Sequence, residues 1–127
     1  MAGNLSNYLE NKILDHFLGT TAYTMPTTVY IALYTAAPND AGGGTEATGG
    51  SYARQAATFS AAASGATSNA TNVDFASMPA ATIVAIGVHD AITSGNLLVW
   101  GTLSSNKALD AGDTLRIATG DLDISID

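Results

Sequence analysis

The sequence predicts a mainly β protein: an antiparallel β-sandwich, jelly-roll or immunoglobulin-like, with one N-terminal α-helix. Three observations predict this fold class. Apolar residues recur with a helical period only near the N-terminus, and from residue 27 onward they recur with the period of two that strands show. Short β-rich runs then follow at intervals of about 8–12 residues, separated by glycine-containing turns. Because 127 residues is the length of one domain, we expect a single domain over residues 1–127.

The predicted helix, over about residues 4–18, depends on an apolar stripe that can pack either on the chain's own sandwich or on a partner. The stripe recurs at every fourth residue: Leu5, Leu9, Ile13 and Phe17. Asn4 or Ser6 can cap the start of the helix, and Gly19 lies where a C-terminal cap belongs.

The first strand is predicted over residues 27–35, which are rich in β-branched and aromatic side chains. Both of its faces are largely apolar, so we expect a central strand that is covered on both sides. The last two predicted strands alternate apolar and polar residues, and we expect them to be half-buried on the outside of a sheet. Six strands in all are predicted after the first, over residues 52–59, 71–75, 82–89, 97–103, 114–119 and 122–126.

A glycine-rich segment over about residues 36–50 is predicted to form a long, flexible loop. Arg54, one of only four cations, follows this loop and can hold it in place by pairing with Glu46 or with a backbone carbonyl. Alternatively, Arg54 contacts a neighbouring subunit or a different protein partner, with Tyr52 beside it as a rigid aromatic anchor.

The charge balance argues against two classes of partner. The chain has 4 Lys and Arg against 11 Asp and Glu, a net charge of −7 and a pI of about 4.3. Nucleic acids and anionic membranes both require clustered cations, so we expect neither as a partner. Only 12% of the residues are charged and small side chains are abundant, which favours a surface in permanent contact with neighbouring subunits.

The residue types that enzymes use are scarce or badly spaced, so we predict no catalytic activity, no cofactor and no metal. The two histidines lie in no G-x-S-x-G or H-E-x-x-H pattern, and no lysine follows the glycine pairs as a phosphate loop requires. Cysteine is absent, which excludes thiolate zinc sites and disulfides. We interpret His89 as a structural or rim histidine, Trp100 as a core or interface residue, and the C-terminal aspartates as a solvated acidic face.

Three segments carry a resemblance to a known family. Residues 30–38 read YIALYTAAP, residues 42–46 read GGGTE, and residues 49–55 read GGSYARQ. Together with the N-terminal helix and the segment GNLLVWG at 95–101, this order resembles small virion proteins of tailed bacteriophages, which are often labelled tail fibre proteins. Such chains are also similar to capsid decoration, or cement, proteins. The resemblance covers nearly the whole chain and implies a component of the virion.

The resemblance implies a structural, non-enzymatic protein, with capsid decoration as the first hypothesis. In this hypothesis a homotrimer sits on the capsid exterior, binds the major capsid protein and stabilises the assembled lattice by mass action. The first alternative is a tail, tail-fibre or tail-tip component bound to tail proteins. The second is a carbohydrate-binding module that presents Tyr30 and Tyr34 as a platform. The candidate interface residues are Tyr52, Arg54, Glu46, Gly43, Gly44, Leu5, Leu9 and Phe17.

Overall fold

A computed structural model of the chain describes residues 4–126, which contain ten β-strands and one α-helix. In chain order these elements are β1 Asn4–Leu5, α1 Asn7–Phe17, β2 Val29–Ala36, β3 Thr45–Glu46, β4 Gln55–Ala57, β5 Ala66–Ser68, β6 Val73–Phe75, β7 Ala81–His89, β8 Leu97–Leu109, β9 Leu115–Ile117 and β10 Asp123–Ser125.

Six of the strands form one antiparallel sheet in the order β1-β8-β7-β2-β3, with β4 also paired to β2. Two antiparallel ribbons, β5 with β10 and β6 with β9, make up the rest. Side chains from β6 and β9 share one buried cluster with side chains from β2 and β7, so the ribbons act as the second layer over one face of the large sheet. The predicted fold class is confirmed: mainly β, antiparallel and sandwich-like, with one helix in the described residues.

Strand β2 is buried on both faces, as its apolar sequence predicts. Ile31 and Leu33 lie in the core between the layers and are fully buried. Ala32 and Tyr34 alternate with them and pack with Ala85 in a second buried cluster on the opposite face of the sheet. This two-sided burial agrees with the position of β2 between β7 and the pair β3 and β4.

The helix begins at Asn7, later than the predicted start at about residue 4. Asn4 and Leu5 are extended and pair with β8, where they form β1. Ser6 is therefore the cap, as one of the two predicted alternatives has it: its hydroxyl accepts a hydrogen bond of 3.2 Å from the backbone N–H of Leu9. Asn4 and Leu5, which the periodicity alone assigns to the helix, are thus part of the sheet because they pair with β8.

The apolar stripe of the helix does not form one continuous buried face. Leu5 and Leu9 pack against the main core, whereas Phe17 is 77% exposed and no residue of α1 is fully buried. The chain leaves the helix through Gly19, whose φ of +85° fits its predicted role at the C-terminal cap. The beginning of α1 is thus held by the chain's own sandwich, and its end presents apolar side chains to solvent.

Strand boundaries differ most from the prediction at β4 and β8. Only three residues of the predicted strand 52–59, Gln55–Ala57, pair with β2 and join the sheet. Strand β8 continues to Leu109 instead of ending at residue 103, since its polar second half still pairs with β7. Strands β1, β3 and β5 were not predicted because two or three residues are too few to show a period.

The C-terminal strands follow the predicted alternation only in part. In β9, Leu115 and Ile117 are buried and Arg116 is exposed, which confirms the half-buried interpretation there. Beyond β10 the prediction is wrong for Ile126, which is 56% exposed.

The glycine-rich segment 36–50, predicted as a long loop, contains a hydrogen-bonded turn and the short strand β3. Asn39 and Gly42 exchange two backbone hydrogen bonds of 2.7 and 2.9 Å, which close a tight turn. Strand β3 then pairs with β2, and the N–H of Ala47 donates to the carbonyl of Leu33 at 2.9 Å. Backbone hydrogen bonds to the large sheet therefore give this segment a defined path, which composition could not show.

Candidate functional site

The outer edge of β2 is completed by three different pieces of chain. Strand β4 pairs with residues 29–31, and β3 pairs with residues 34 and 36, which leaves Leu33 between them. The phenol of Tyr52 fills this gap, since its Oη accepts the N–H of Leu33 at 3.0 Å. With Ala47 bonded to the carbonyl of Leu33, both backbone groups of this fully buried residue are satisfied.

Tyr52, Glu46 and Arg54 form a hydrogen-bonded cluster that we name the Arg54 clamp. The hydroxyl of Tyr52 donates to Glu46 Oε2 at 2.7 Å. Arg54 approaches the same carboxylate with two nitrogens, Nε to Oε2 at 3.0 Å and Nη2 to Oε1 at 2.8 Å. The Arg54 side chain is only 9% exposed in this pair. Two-point pairing of this kind is strong and directional, because the planar guanidinium matches the carboxylate.

The clamp also holds a third segment of the chain. Nη1 of Arg54 donates to the carbonyls of Ala91 and Ser94, at 2.9 and 2.8 Å. Ser94 has a φ of +54°, so the clamp stabilises a turn in which a non-glycine residue is disfavoured. One guanidinium therefore joins β3, the segment before β4 and the turn after β7.

Burial and hydrogen bonding act against each other at the clamp. Burial favours a raised pKa for Glu46, but hydrogen bonds from Arg54 and Tyr52 outweigh it and hold that pKa below its ordinary value. The hydrogen bond with Glu46 raises the pKa of Arg54 further. Burial raises the pKa of Tyr52 strongly, so its phenol stays protonated and remains a donor.

Tyr34 and His89 form a second buried polar pair. Tyr34 lies on the same face of β2 as Ala32, opposite the main core. Tyr34 Oη and His89 Nε2 are 2.7 Å apart, and the two rings stack with an interplanar angle of 16°. Burial lowers the pKa of His89 to about 4, with a further lowering by the positive charge of Arg54. His89 is therefore neutral at pH 7, which agrees with the structural role that the sequence predicts.

In the structure, most of the predicted interface residues are partly buried and make contacts within the subunit. The loop-holding interpretation of Arg54 with Glu46 is confirmed, and Tyr52 stacks on buried Phe75 with ring centroids 6.0 Å apart instead of standing out as an external anchor. Leu5 and Leu9 pack on the core. Gly43 is exposed and Phe17 strongly so, which leaves these two positions, together with exposed Gly44, accessible to a partner.

Gly44 has a structural reason to be glycine. Its φ is +73°, and a Cβ there would lie 2.7 Å from the carbonyl oxygen of Ala36 and 2.7 Å from the nitrogen of Pro38. Close approach of two backbone segments, rather than contact with a partner, accounts for this residue.

Three exposed apolar side chains lie together at the C-terminal end of α1. Leu14, Phe17 and Leu18 are 55%, 77% and 77% exposed, and we name them the apolar helix end. The chain then folds back along the helix, since the N–H of Tyr23 donates to His16 Nδ1 at 3.1 Å. Of the three, only Phe17 was among the predicted interface residues, because the sequence could not tell which part of the stripe the sandwich covers.

The aromatic platform that a carbohydrate-binding module would need at Tyr30 and Tyr34 is not present. Tyr34 is only 4% exposed, because its ring packs with Ala32 and Ala85 and its hydroxyl meets His89. Of these two tyrosines, Tyr34 is therefore not open to a stacked sugar ring.

Two further properties of residues 4–126 bear on function. These residues include no group of three or more histidine or acidic side chains placed to hold a metal ion. The helix they contain is neither long nor apolar enough to cross a membrane.

Comparison with known proteins identifies a similar family. A family model described as podophage GP4 fiber I protein gp80 matches residues 4–125 and so includes both the Arg54 clamp and the apolar helix end. No curated protein matches the chain.

Proposed function

The chain belongs to the podophage GP4 fiber I protein gp80 family, and from this premise we propose that it acts without catalysis, as a subunit that associates with copies of itself in a virion fibre. The coarser part of this statement follows from the family: the chain is a structural fibre protein of a bacteriophage. We propose three further statements: that the chain associates with itself, that it acts without catalysis, and where in the particle it is attached.

The observation that carries the proposal is the apolar helix end. Three large apolar side chains, all more than half exposed, lie within five residues of one another at the end of a helix. Clustered apolar groups of this kind mark contact surfaces, because leaving them in water forgoes the free energy of burying them. Their exposure in the isolated subunit supports a partner that covers them.

The occupant that we propose for this surface is the same surface of another copy. A net charge of −7 makes most surfaces of two copies repel one another. Residues 14–25 carry one carboxylate, Asp15, so two helix ends can meet with little repulsion. A homotrimer with the three helix ends on its axis is closed and leaves no apolar end uncovered.

The clamp supports a static role for the rest of the subunit. The hydrogen bonds of the clamp are made to β2 and to two connecting segments of the same chain, and they involve Glu46, Tyr52 and Arg54. Preformed internal contacts of this kind suit a building block that must keep its shape under assembly.

The position in the particle is a separate part of the proposal. A fibre can stand on the capsid exterior, where the partner is the major capsid protein, or on the tail, where tail proteins bind it. The capsid decoration hypothesis drawn from the sequence requires the first position. The family description specifies a fibre and neither position. Electron microscopy of virions labelled with antibody against this chain distinguishes the two.

Light scattering after size-exclusion chromatography tests self-association. We expect the wild-type chain to elute as a trimer and the double variant Phe17→Ser with Leu18→Ser to elute as a monomer. Circular dichroism should stay unchanged in this variant, because both side chains are exposed. The control is Ile92→Ser, which removes an apolar side chain that is 52% exposed on a different loop and should leave the trimer intact. A wild-type chain that remains monomeric at assembly concentrations contradicts the proposal.

A further inference from the structure

A polar cleft with a volume of about 450 Å³ lies where three segments meet: the start of α1, the turn at residues 40–43, and residues 95–97 at the start of β8. Its floor and walls carry groups that both donate and accept hydrogen bonds. The polar side chains on its lining are Ser6, Asn7, Tyr8, Tyr34, Asp40, His89 and Asn96. From this lining we propose that the cleft binds a neutral saccharide. The proposal goes beyond assembly in a fibre and does not depend on it.

Three of these side chains, those of Asp40, Asn96 and Tyr34, are held in place by hydrogen bonds to other residues of the chain. Trp100 Nε1 donates to Asp40 Oδ1 at 2.9 Å, and the backbone carbonyl of Asp40 accepts the N–H of Asn7 at 2.8 Å. Such support orders the polar groups before a ligand arrives, which lowers the entropy lost on binding.

The same arrangement recurs on the other side of the cleft. Both the backbone N–H and the side-chain amide of Asn96 donate to the carboxylate of Asp90, at 2.7 and 2.9 Å. Tyr34 is fixed by its 2.7 Å hydrogen bond with His89. Asn96 Oδ1 and Asp40 Oδ2 accept no protein hydrogen bond within residues 4–126 and are thus open to ligand hydroxyls.

The charge of the lining selects the class of ligand. No lysine or arginine lines the cleft, and Asp40 adds one negative charge. A phosphate or carboxylate ligand would meet repulsion without a compensating cation. Sugar hydroxyls, in contrast, donate to a carboxylate and accept from amide and phenol groups, so a neutral saccharide fits this set.

Nuclear magnetic resonance titration tests the proposal. The ¹⁵N-labelled full chain is titrated with the methyl glycosides of glucose, galactose and mannose, with N-acetylglucosamine, and with anionic N-acetylneuraminic acid. We expect at least one neutral sugar to shift the amide signals of Asn7, Asp40 and Asn96 in a saturable way, with a Kd in the millimolar range. The anionic sugar should bind more weakly.

Two variants separate the cleft from the rest of the surface. Asp40→Asn removes a charged acceptor and should weaken binding about tenfold, and Ala41→Trp should block the cleft by filling it. The control Asp123→Asn removes an exposed carboxylate of β10 and should leave the affinity unchanged. The proposal is overturned if no neutral sugar shifts these signals at saturation, if the anionic sugar binds best, or if Asp123→Asn weakens binding as much as Asp40→Asn.

Discussion

The hydroxyl of Tyr52 takes the place of a strand at the edge of β2, because it accepts the N–H of Leu33 at 3.0 Å in the gap between β3 and β4. The same hydroxyl donates to Glu46, which is in turn held by Arg54. The sheet edge and the ion pair are thus parts of one hydrogen-bond network, so a substitution at either end should weaken the hydrogen bonds at the other.

Replacement of Arg54 by alanine should lower the free energy of unfolding by about 2–4 kcal/mol, because Glu46 and two backbone carbonyls lose their donor in a largely buried setting. Urea denaturation followed by circular dichroism measures this loss. The matched control is Arg116→Ala, which breaks the pair with Asp74 on the exposed surface and should leave stability nearly unchanged. Equal losses in both variants would show that burial of the clamp has no energetic importance.

Tyr52→Phe should cost about 1–3 kcal/mol of folding free energy, since the buried N–H of Leu33 loses its acceptor while the ring can still stack on Phe75. Hydrogen exchange should be faster at the Leu33 amide in this variant than in the wild type. The control is Tyr30→Phe on β2, the strand that carries Leu33. The hydroxyl of Tyr30 makes no hydrogen bond within residues 4–126, so its loss should have little effect on stability. Unchanged protection of Leu33 in Tyr52→Phe would contradict the edge role.

Gly44→Ala should destabilise the fold more than Gly43→Ala. Both residues have a φ of +73°, so a side chain suffers the same backbone strain at each, about 1–2 kcal/mol. At Gly44 a Cβ would also meet the backbone of Ala36 and Pro38 at 2.7 Å, whereas at Gly43 the nearest atom is a movable side-chain nitrogen at 3.4 Å. Thermal unfolding of the two variants measures the difference. Equal melting temperatures would mean that the turn relaxes freely around Gly44.

Folding stability should fall on acidification through the titration of His89. The pKa of this residue is about 4 in the folded chain against an ordinary value of 6.5, so the unfolded chain binds more protons between these limits. The contribution is fully present above pH 6.5 and is lost as the pH falls from 6.5 to 4. The charged groups around the ring are Arg54, Glu46 and Asp90. The pKa of Glu46 is held below its ordinary value of 4.5, so the stability that its ionised carboxylate contributes is lost only as the pH falls below 4.5.

Denaturation midpoints measured between pH 7 and pH 4.5 isolate the histidine. We expect His89→Gln, whose amide can still bond to Tyr34, to have a smaller pH dependence in this window than the wild type. The assignment to His89 is wrong if its variant and the wild type lose stability in parallel.

Part of the clamp could be predicted because its partners are close in sequence and cations are rare. Arg54 and Glu46 are 8 residues apart, and a chain with four cations offers few other pairs. The carbonyls of Ala91 and Ser94, 37 and 40 residues away, carry no side-chain signal, so their contact with Arg54 required the folded chain. The same holds for the hydroxyl of Tyr52 on the edge of β2.

The fold class, the existence of the helix and the central place of β2 are determined by the sequence itself, because apolar period and turn glycines are local properties of the chain. The family resemblance also lies in the sequence and agrees with the family match. Only the tertiary structure decides that Asn4 and Leu5 leave the helix for β8, that segment 36–50 is anchored, and that Phe17 stays in solvent while Leu9 is covered. These outcomes depend on hydrogen bonds and packing between residues far apart in the chain, and such contacts are not encoded in any local period.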